Sequence, residues 1–504
     1  MQSWVTIRWF LLALSVLVAS GCGGQSKTKP QPSSVDSKPP SREKPAVSPV
    51  TEKHSPETSE TADAKVADST VRETPNPPVS DSSTAPQQVF RPADERPKHD
   101  DKALERLGIR RYDSKRLILY TDIDPQVAAT LPPVIDQAYI ALSDYFGPIP
   151  PDRARSEYQM TGYLIKDEAT FREAGLIPGD LPPFDHGRHR RNEFWMREQK
   201  YDYYRRHLLI HEATHCFMTV MPDVEAPVWY MEGMAEYFGT HRLANDGKVT
   251  FCVMPTSPEE FAGAGRITII RTECSAGRKR TIDSILSLNP VEFLKTEHYA
   301  WAWSLTLFLD THPRYRERFR QLRGYLQRNA FATQYYRMFD ADARDLVTEW
   351  DLYVQNLQYG YDAERAAIEF TQGAELNQAR PKHQCEILAD RGWQPSGVLV
   401  KEGESYELSA TGRFELAKNP VPWISEPQGI SFRYSDGRPV GTLIACIRTD
   451  GDSGESMLRT KAIGRGTTFR VPATGTLYLR LNDDWSSLHD NRGQVIVEIK
   501  RASQ

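Results

Sequence analysis

Long apolar runs are scarce in this 504-residue chain. The run from Trp9 to Val18 is too short to span a bilayer comfortably, and no other stretch predicts a transmembrane helix. A net charge of −4 with 26% charged residues lacks the basic excess of a nucleic-acid-binding protein. The chain also contains no internal repeat and no phosphate-binding glycine loop. These absences argue against a nucleic-acid or nucleotide partner.

The N-terminus has the features of a secretory signal. Arg8 supplies the positive charge, the apolar run follows, and Ala19-Ser20-Gly21-Cys22 resembles a bacterial lipobox. This resemblance implies a lipoprotein signal over residues 1–22, with Cys22 as the lipidated residue. We therefore expect a lipid-anchored protein of the bacterial cell envelope, with the membrane as partner through this lipid. The alternative is an ordinary cleaved signal peptide and a secreted protein.

Residues 23–102 are rich in Pro, Ser, Thr, Lys, Glu and Asp and contain almost no aromatic residue before Phe90. Such a composition buries too little apolar surface to offset its conformational entropy, so we expect disorder. A flexible chain of about 80 residues has an r.m.s. reach on the order of 50 Å. The segment is therefore predicted to be a tether between a membrane surface and the folded part of the chain.

The most informative stretch is His211-Glu-Ala-Thr-His215, followed by Trp229-Tyr-Met-Glu232-Gly-Met-Ala-Glu236-Tyr. Histidines at i and i+4 lie on one face of a helix, so both imidazoles can bind one metal ion, with Glu212 beside the open coordination position. Glu232 and Glu236 have the same spacing on a second predicted helix, between Pro227 and Gly239. This is the arrangement of a zinc hydrolase. An incidental match on a partly exposed helix is the alternative, and the second motif argues against it.

Together the two motifs resemble the gluzincin metallopeptidases, in particular the peptidase MA-like and aminopeptidase N-like branches. The resemblance implies that His211, His215 and Glu232 bind Zn²⁺ and that Glu212 is the general base. A zinc-bound water has a pKa near 7, and Glu212 would take its proton and deliver it to the leaving amine. Glu236, one turn beyond Glu232, is placed to accept the second ring N–H of a ligand histidine.

Tyr299 opens the predicted apolar helix Tyr299 to Leu309. This segment resembles the tyrosine-led helix of aminopeptidase N-like enzymes. The resemblance implies that the Tyr299 hydroxyl donates to the oxyanion of the tetrahedral intermediate. The alternative is a core tyrosine at the start of an apolar helix.

The pattern before the metal motif predicts an α+β lobe. We expect strands over Arg116 to Tyr120 and Tyr158 to Ile165, with a helix over Pro125 to Tyr145 between them. Asn192 to Met196 is the candidate for an antiparallel edge strand along which a peptide binds. The basic segment Phe184 to Arg191 is predicted to be a solvated loop, with contact to an acidic substrate group as the alternative.

The C-terminal part consists of short alternating runs separated by Gly, Pro and Asp. Such runs are typical of a β-sandwich. The seven predicted strands are Val398 to Val400, Tyr406 to Ala410, Ile430 to Tyr434, Thr442 to Ile447, Thr467 to Val471, Leu477 to Leu481 and Gln494 to Ile499. The predicted fold is thus an α+β zincin-like metallopeptidase domain with a helical C-terminal lobe over residues 103–380, followed by an all-β sandwich domain over residues 384–504.

The segment from Trp393 to the end resembles the PA-I-like galactophilic lectins, which are calcium-dependent β-sandwiches. The resemblance rests on Ala410-Thr-Gly, Gly441-Thr-Leu-Ile-Ala-Cys-Ile and Asn482-Asp483 followed by Asp490-Asn491. It implies a Ca²⁺ site formed by Asp483, Asp490 and Asn491, with backbone oxygens near Leu416 and Ser487. The sugar-contacting His and Gln of the lectins have no clear counterparts. A structural or protein-docking sandwich is therefore the alternative to a carbohydrate-binding one.

Six cysteines are present, and lipidation of Cys22 leaves five, so at least one thiol is free. We predict disulfides between Cys252 and Cys274 and between Cys385 and Cys446. Cys216 is the predicted free thiol, because it lies on the buried face of the helix that carries the metal motif. It is not a predicted ligand, since it points about 100° away from His215 around that helix.

The sequence thus predicts an envelope-anchored zinc metallopeptidase that hydrolyses a peptide or protein substrate and is targeted by a calcium-binding, lectin-like domain. An endopeptidase is favoured over an aminopeptidase because the Gly-x-Met-Glu-Asn amine-binding element of aminopeptidases is absent between Tyr158 and Arg206. An amidase that acts on a non-peptide amide is a further alternative, because attack by zinc-bound water does not dictate the acyl group. The alternative is a non-catalytic surface lipoprotein that binds glycan or protein and retains a zincin fold. The intact metal motif favours the enzyme.

Overall fold

The structure is a computed structural model that describes residues 89–502, apart from residues 95, 264, 327–329, 419–420 and 452–453. The predicted signal, Cys22 and most of the predicted tether lie outside the described residues. In the part that is described, no helix is long and apolar enough to cross a membrane.

The folded chain begins before the predicted boundary at residue 103. Arg91 is buried, its backbone N–H donates to Pro151 O at 3.1 Å, and its guanidinium donates to Ser156 O at 2.9 Å. His99 Nε2 lies 2.9 Å from the Tyr163 hydroxyl. The predicted tether is therefore too long at its C-terminal end. Hydrogen bonds of polar groups hold this segment on the folded chain, and its low apolar content gives no sign of them.

The described chain contains helices throughout its first two-thirds and strands mainly at its two ends. The helices are α1 Asp101–Arg106, α2 Pro125–Ala128, α3 Pro132–Phe146, α4 Glu168–Glu173, α5 Asp202–Met218, α6 Val228–Gly239, α7 Arg266–Ser275, α8 Ile282–Leu286, α9 Thr296–Thr311, α10 Arg316–Gln321, α11 Phe331–Phe339, α12 Ala343–Asn356, α13 Ala363–Ala366 and α14 Glu455–Leu458. The strands are β1 Arg110–Asp113, β2 Leu117–Thr121, β3 Met160–Ile165, β4 Gly187–Arg190, β5 Glu193–Arg197, β6 His241–Leu243, β7 Val249–Phe251, β8 Ala374–Glu375, β9 Lys382–Leu388, β10 Gln394–Val400, β11 Ser405–Thr411, β12 Phe414–Glu415, β13 Ile424–Ser425, β14 Gln428–Ser435, β15 Arg438–Thr449, β16 Lys461–Ala462, β17 Gly466–Arg470, β18 Gly475–Leu481 and β19 Arg492–Arg501.

The first region is built on a five-stranded sheet of order β1-β2-β3-β5-β4. Strands β2, β3 and β5 are parallel, whereas β1 and β4 are antiparallel to their neighbours. Two separate apolar clusters cover its faces. Phe194 and Met196 of β5 pack with α3 and α5, while Trp195 packs with Tyr163 and Phe171 on the opposite face.

Three local predictions in this region were wrong. The predicted edge strand at Asn192 to Met196 is β5, an interior strand, and the edge is β4, inside the segment predicted as a loop. Strand β4 reads Gly-Arg-His-Arg and has no apolar residue to signal a strand. The predicted helix Pro125 to Tyr145 is two helices, because Pro132 and Pro133 start a new helix at the first position where proline is tolerated.

A helical region follows, with α9 at its centre. Trp301, Trp303 and Leu305 of α9 are fully buried, so this helix is enclosed by its neighbours rather than amphipathic. It packs mainly against α6 and α7. Helix α9 thereby positions Tyr299 beside the helices of the predicted metal site.

The C-terminal region is β-rich, and the seven predicted runs coincide with strands. One sheet has the order β14-β15-β18-β10-β8 with β16 paired to β15, and the other has β13-β12-β19-β11-β17 with β9 paired to β19. The region has its own apolar core, which includes Val398, Leu443 and Val497. Tyr478 and Trp485 of the β-rich region do not belong to this core. They pack in the same buried apolar cluster as residues of α12, so the β-rich region and the helical region share that cluster.

Neither predicted disulfide is present, and all five described cysteines are free. Cys274 Sγ faces Val354 O at 3.7 Å, and Cys385 Sγ faces Val497 O at 3.9 Å. Cys385 lies on β9 and Cys446 on β15, which belong to different sheets. The spacing of the cysteines in the sequence does not indicate the direction in which each Sγ atom points. Cys216 is free and buried, as predicted, and its Sγ lies 3.6 Å from Glu193 O.

Candidate metal centre

Helices α5 and α6 bring the two sequence motifs together. On α5, Leu209, Ala213 and Cys216 are fully buried and fix one side of the helix in the core. On α6, Gly233 contacts α9 closely, because a Cβ there would meet the backbone of Ala302 at 2.8 Å. Helix α6 therefore packs closely on α9, and the metal-motif side chains of α5 and α6 face one another.

The three predicted zinc ligands converge on one point. His211 Nε2 lies 3.1 Å from His215 Nε2 and 3.4 Å from Glu232 Oε2, and His215 Nε2 lies 3.2 Å from the same oxygen. A tetrahedral ion with bonds of about 2.0–2.1 Å separates its ligand atoms by about 3.3–3.4 Å. The donor set of two imidazoles and one carboxylate and its spacing therefore both fit Zn²⁺.

The charges of these side chains are coupled. Burial alone would lower the pKa of His211, but Glu232 and Glu236 outweigh burial and raise this pKa to about 10. Burial would raise the pKa of Glu232, but His215 and His211 hold this pKa below its ordinary value. Glu232 is thus an ionised acceptor, the state in which a carboxylate binds a metal ion.

Glu212 faces the same space from α5. It is buried, its Oε2 has no hydrogen-bond partner, and burial raises the pKa of its carboxyl group. His211 and His215 oppose this shift. A raised carboxyl pKa brings the group closer to the range in which it can exchange a proton at neutral pH.

Strand β4 lies directly against Glu212. A Cβ at Gly187 would overlap Glu212 Oε1, so the strand approaches this closely only because residue 187 is glycine. Two residues on, the His189 ring stacks on the His215 ring with centroids 4.5 Å apart. His189 Nδ1 is 3.9 Å from Glu212 Oε2, and burial together with His215 lowers the pKa of His189 to about 3. His189 is therefore a neutral imidazole at the wall of the site.

Glu236 is the centre of a buried charged network. Its carboxylate accepts from Arg266 Nε at 2.7 Å and Arg266 Nη2 at 2.9 Å, and lies 3.2 Å from His207 Nε2. On the metal side, Glu236 Oε1 lies 3.3 Å from His211 Nδ1, within ion-pair distance. Burial would raise the pKa of Glu236, but Arg266 and His207 hold it well below the ordinary value. Glu236 is thus a carboxylate that supports His211, one of the predicted zinc ligands, from behind.

His207, His211 and Glu236 form a second group whose ligand atoms lie close together. The Arg266 guanidinium already holds both oxygens of Glu236, so a cation is already bound to this carboxylate. The group therefore supports His211 and is not a separate candidate for a metal centre.

Tyr299 reaches the site from the start of α9. Its ring centroid lies 6.2 Å from that of His211, and burial, with Glu232 and Glu212 nearby, raises the pKa of its hydroxyl. The hydroxyl makes no hydrogen bond to any other described residue. The Tyr299 hydroxyl is therefore protonated, has no hydrogen-bond partner among the described residues and lies beside His211, so it can donate to a reacting group.

Three of these residues were not identified from the sequence. His207 precedes His211 by four positions, so the i, i+4, i+8 series of histidines was a usable signal on one helix face. His189 lies in the segment interpreted as a loop. Arg266 follows Glu236 by thirty residues, and no local pattern relates the two.

In the β-rich region, two of the three predicted calcium ligands meet. Asn491 Nδ2 donates to Asp483 Oδ2 at 3.1 Å and to Ala389 O at 3.1 Å, and Asp484 N donates to Asp483 Oδ1 at 2.8 Å. Burial raises the pKa of Asp483. Asp490 Oδ1 and Asn491 Oδ1 are buried oxygens without a hydrogen-bond partner. The residues offer oxygen atoms, but the carboxylate of Asp483 is already engaged.

No family model matches the sequence, and no curated protein matches it. Among solved structures, the chain is similar to the EclA N-terminal domain, a PllA-like lectin, with 24% identity, 24% of this chain and 96% of that chain covered, and a TM-score of 0.19. It is also similar to PliG of Aeromonas hydrophila, a periplasmic lysozyme inhibitor of g-type lysozyme, with 8% identity, 27% and 97% coverage and a TM-score of 0.16. Both are weak likenesses that cover about a quarter of this chain.

Proposed function

We propose that the chain is a zinc-dependent metallopeptidase with a zincin-like active site. The observation that carries the proposal is the convergence of His211 Nε2, His215 Nε2 and Glu232 Oε2 at separations of 3.1–3.4 Å. When bound there, zinc would lower the pKa of a coordinated water to about 7 and polarise the carbonyl of the substrate.

The residues around the donors have separate roles in this proposal. Glu212, with its unpartnered Oε2, accepts a proton during attack and returns it to the leaving amine. Tyr299 donates a hydrogen bond to the oxygen on which negative charge develops. Glu236 holds His211 in one orientation from behind, and Arg266 and His207 hold Glu236.

The free edge of β4 favours a peptide as the substrate. Arg197 N donates to His186 O at 2.8 Å, and the register continues as Arg188 opposite Trp195 and Arg190 opposite Glu193. In an antiparallel pair the hydrogen-bonded positions alternate, so Gly187 and His189 direct their N–H and C=O groups away from β5. A peptide that adds as a strand to this edge lies alongside Glu212 and His215.

We further propose that the signal anchors the chain to the bacterial cell envelope through Cys22. In the same proposal, the β-rich region is a sandwich that binds calcium through Asp483, Asp490 and Asn491 and places the enzyme near carbohydrate. These oxygen donors suit Ca²⁺ by type. The proposed activity is that of an endopeptidase, since an open strand edge does not select a chain terminus.

The proposal is tested by incubating the full chain with an unfolded protein substrate and identifying new termini by mass spectrometry. Glu212→Gln should reduce kcat by about 10²–10⁴-fold, because it removes the proton acceptor, while zinc remains bound. Glu273→Gln, at an exposed ion pair on α7, is the matched control and should cleave normally. Cleavage by Glu212→Gln at the rate of the wild type would contradict the proposal. No cleavage by any zinc-loaded protein would favour the non-catalytic surface lipoprotein.

A further inference from the structure

We propose that this site selects peptides with an acidic side chain, recognised by Arg188 on strand β4. The inference rests on the proposed peptidase function and names its substrate class. It depends on which way each side chain of β4 points and on which of its cations already has a counter-ion.

The two faces of β4 differ in chemistry. Gly187 and His189 face α5, because the first approaches Glu212 and the second stacks on His215. Side chains alternate along a strand, so Arg188 and Arg190 lie on the opposite face. Arg190 confirms this orientation, since its guanidinium lies 5.4 Å from the ring centroid of Trp195, on the face away from α5.

Most of the cations on that face are neutralised. Arg190 Nη1 lies 3.3 Å from Asp180 Oδ1, and Arg197 Nη2 lies 2.7 Å from Glu168 Oε2. Arg188 is half-buried and forms no ion pair or hydrogen bond with any described residue. The charge of Arg188 acts to lower the pKa of the more distant Glu212, but no described carboxylate lies within ion-pair distance of it, so the strand edge carries a cation without a direct counter-ion.

Strand addition brings a substrate side chain to this charge. In paired strands, side chains directly opposite each other share a face, with Cβ atoms about 4.5–5.5 Å apart. A peptide on the free edge of β4 thus places one side chain against Arg188 while its backbone bonds Gly187 and His189. A carboxylate at that position completes the missing ion pair, whereas a lysine is repelled.

The test uses fluorogenic decapeptides in which one position at a time carries Glu, Gln or Lys, cleaved by the zinc-loaded full chain. At one position, kcat/KM should be about two- to fivefold higher for Glu than for Gln, the range of an opposite-charge cross-strand pair, and lowest for Lys. Arg188→Glu should reverse the order at that position. Lys115→Glu, a charge reversal in the turn between β1 and β2 at the far side of the same sheet, should leave the order unchanged.

Binding separates this inference from the catalytic proposal. The same peptides are titrated by fluorescence anisotropy onto the Glu212→Gln variant, which keeps β4 intact. Tighter binding of Glu peptides, lost in the Glu212→Gln, Arg188→Glu double variant, supports the inference even if the wild type cleaves nothing. Equal binding and equal cleavage of the three peptide classes, or an acidic preference that survives Arg188→Glu, would overturn it while leaving the peptidase function in place.

Discussion

The two predicted metal sites of this molecule differ in how their donor atoms are used. Around α5 and α6, three donor atoms point at one another across 3.1–3.4 Å, and Glu236 supports one of them from behind. In the β-rich region, Asp483 accepts hydrogen bonds from Asp484 N and Asn491 Nδ2, so each of its oxygens already has one N–H donor. The first set concentrates lone pairs that a cation satisfies. In the second set, N–H donors hold the carboxylate of Asp483, while Asp490 Oδ1 and Asn491 Oδ1 have no hydrogen-bond partner among the described residues.

The difference shows that residue type alone does not define a metal site. Asp, Asn and His are all suitable ligands, but a site is ready for an ion only when the lone pairs converge and the opposite ends of the ligands are held. Asn491 turns its Nδ2 towards Asp483 and leaves its Oδ1 without a partner. Its Nδ2 is thus engaged by Asp483 and Ala389 O, and its Oδ1 is the atom available to a cation.

Removal of the supporting cation should have the largest effect on stability. Arg266→Ala leaves Glu236 charged and buried without its bidentate partner, a change that typically costs about 3–5 kcal/mol of unfolding free energy. Urea unfolding measures this loss. Arg278→Ala removes an exposed Arg–Glu pair and should have no measurable effect. An equal effect of the two variants would show that the buried network around Glu236 does not stabilise the fold.

A smaller loss of unfolding free energy is expected at the hydrogen-bonded pair of Asp483 and Asn491. Asn491→Ala leaves Asp483 Oδ2 and Ala389 O without their donor in a buried setting, which should cost about 1–3 kcal/mol in calcium-free buffer. Asn356→Ala, where the amide donates to Leu352 O on a partly exposed helix, should cost less than about 0.5 kcal/mol. A neutral Asn491→Ala would mean that the cluster is not a hydrogen-bonded structural element.

The smallest expected effect is that of calcium itself. If the β-rich region binds Ca²⁺ with a dissociation constant of about 10⁻⁴–10⁻³ M, tenfold excess over that constant stabilises it by about 1.4 kcal/mol. Thermal unfolding with and without calcium measures the shift, and Asp483→Asn should abolish it. The same shift in Asp483→Asn, or none in the wild type at 10 mM calcium (about ten times the weaker constant), would contradict the assignment of Asp483 as a ligand.

Residues of this site that are close together in the sequence on one helix could be predicted, whereas a residue that lies far from its partner in the sequence could not. His211, His215, Glu232 and Glu236 were found because helical periodicity places residues four apart on one face, and the structure brings their side chains together. Arg266 was not found, since its contact with Glu236 depends on the tertiary arrangement that places α6 and α7 against the same helix, α9. No periodicity encodes that packing.

The fold was predictable to a similar degree. The strands of the β-rich region alternate apolar and polar residues, and all seven predicted runs coincide with strands. Strand β4 carries no apolar residue, so it was interpreted as a loop although it forms the wall of the site. The cysteine pairs failed because sequence separation does not report the direction of a Cβ–Sγ bond.

The most direct test of the metal centre is the metal content of the full chain, purified without added metal and measured by elemental analysis. The wild type should contain about one zinc per chain, Glu212→Gln should contain the same amount, and His215→Ala should contain almost none. Equal zinc in the wild type and His215→Ala, or no zinc in the wild type after reconstitution, would contradict the assignment of His211, His215 and Glu232 as ligands.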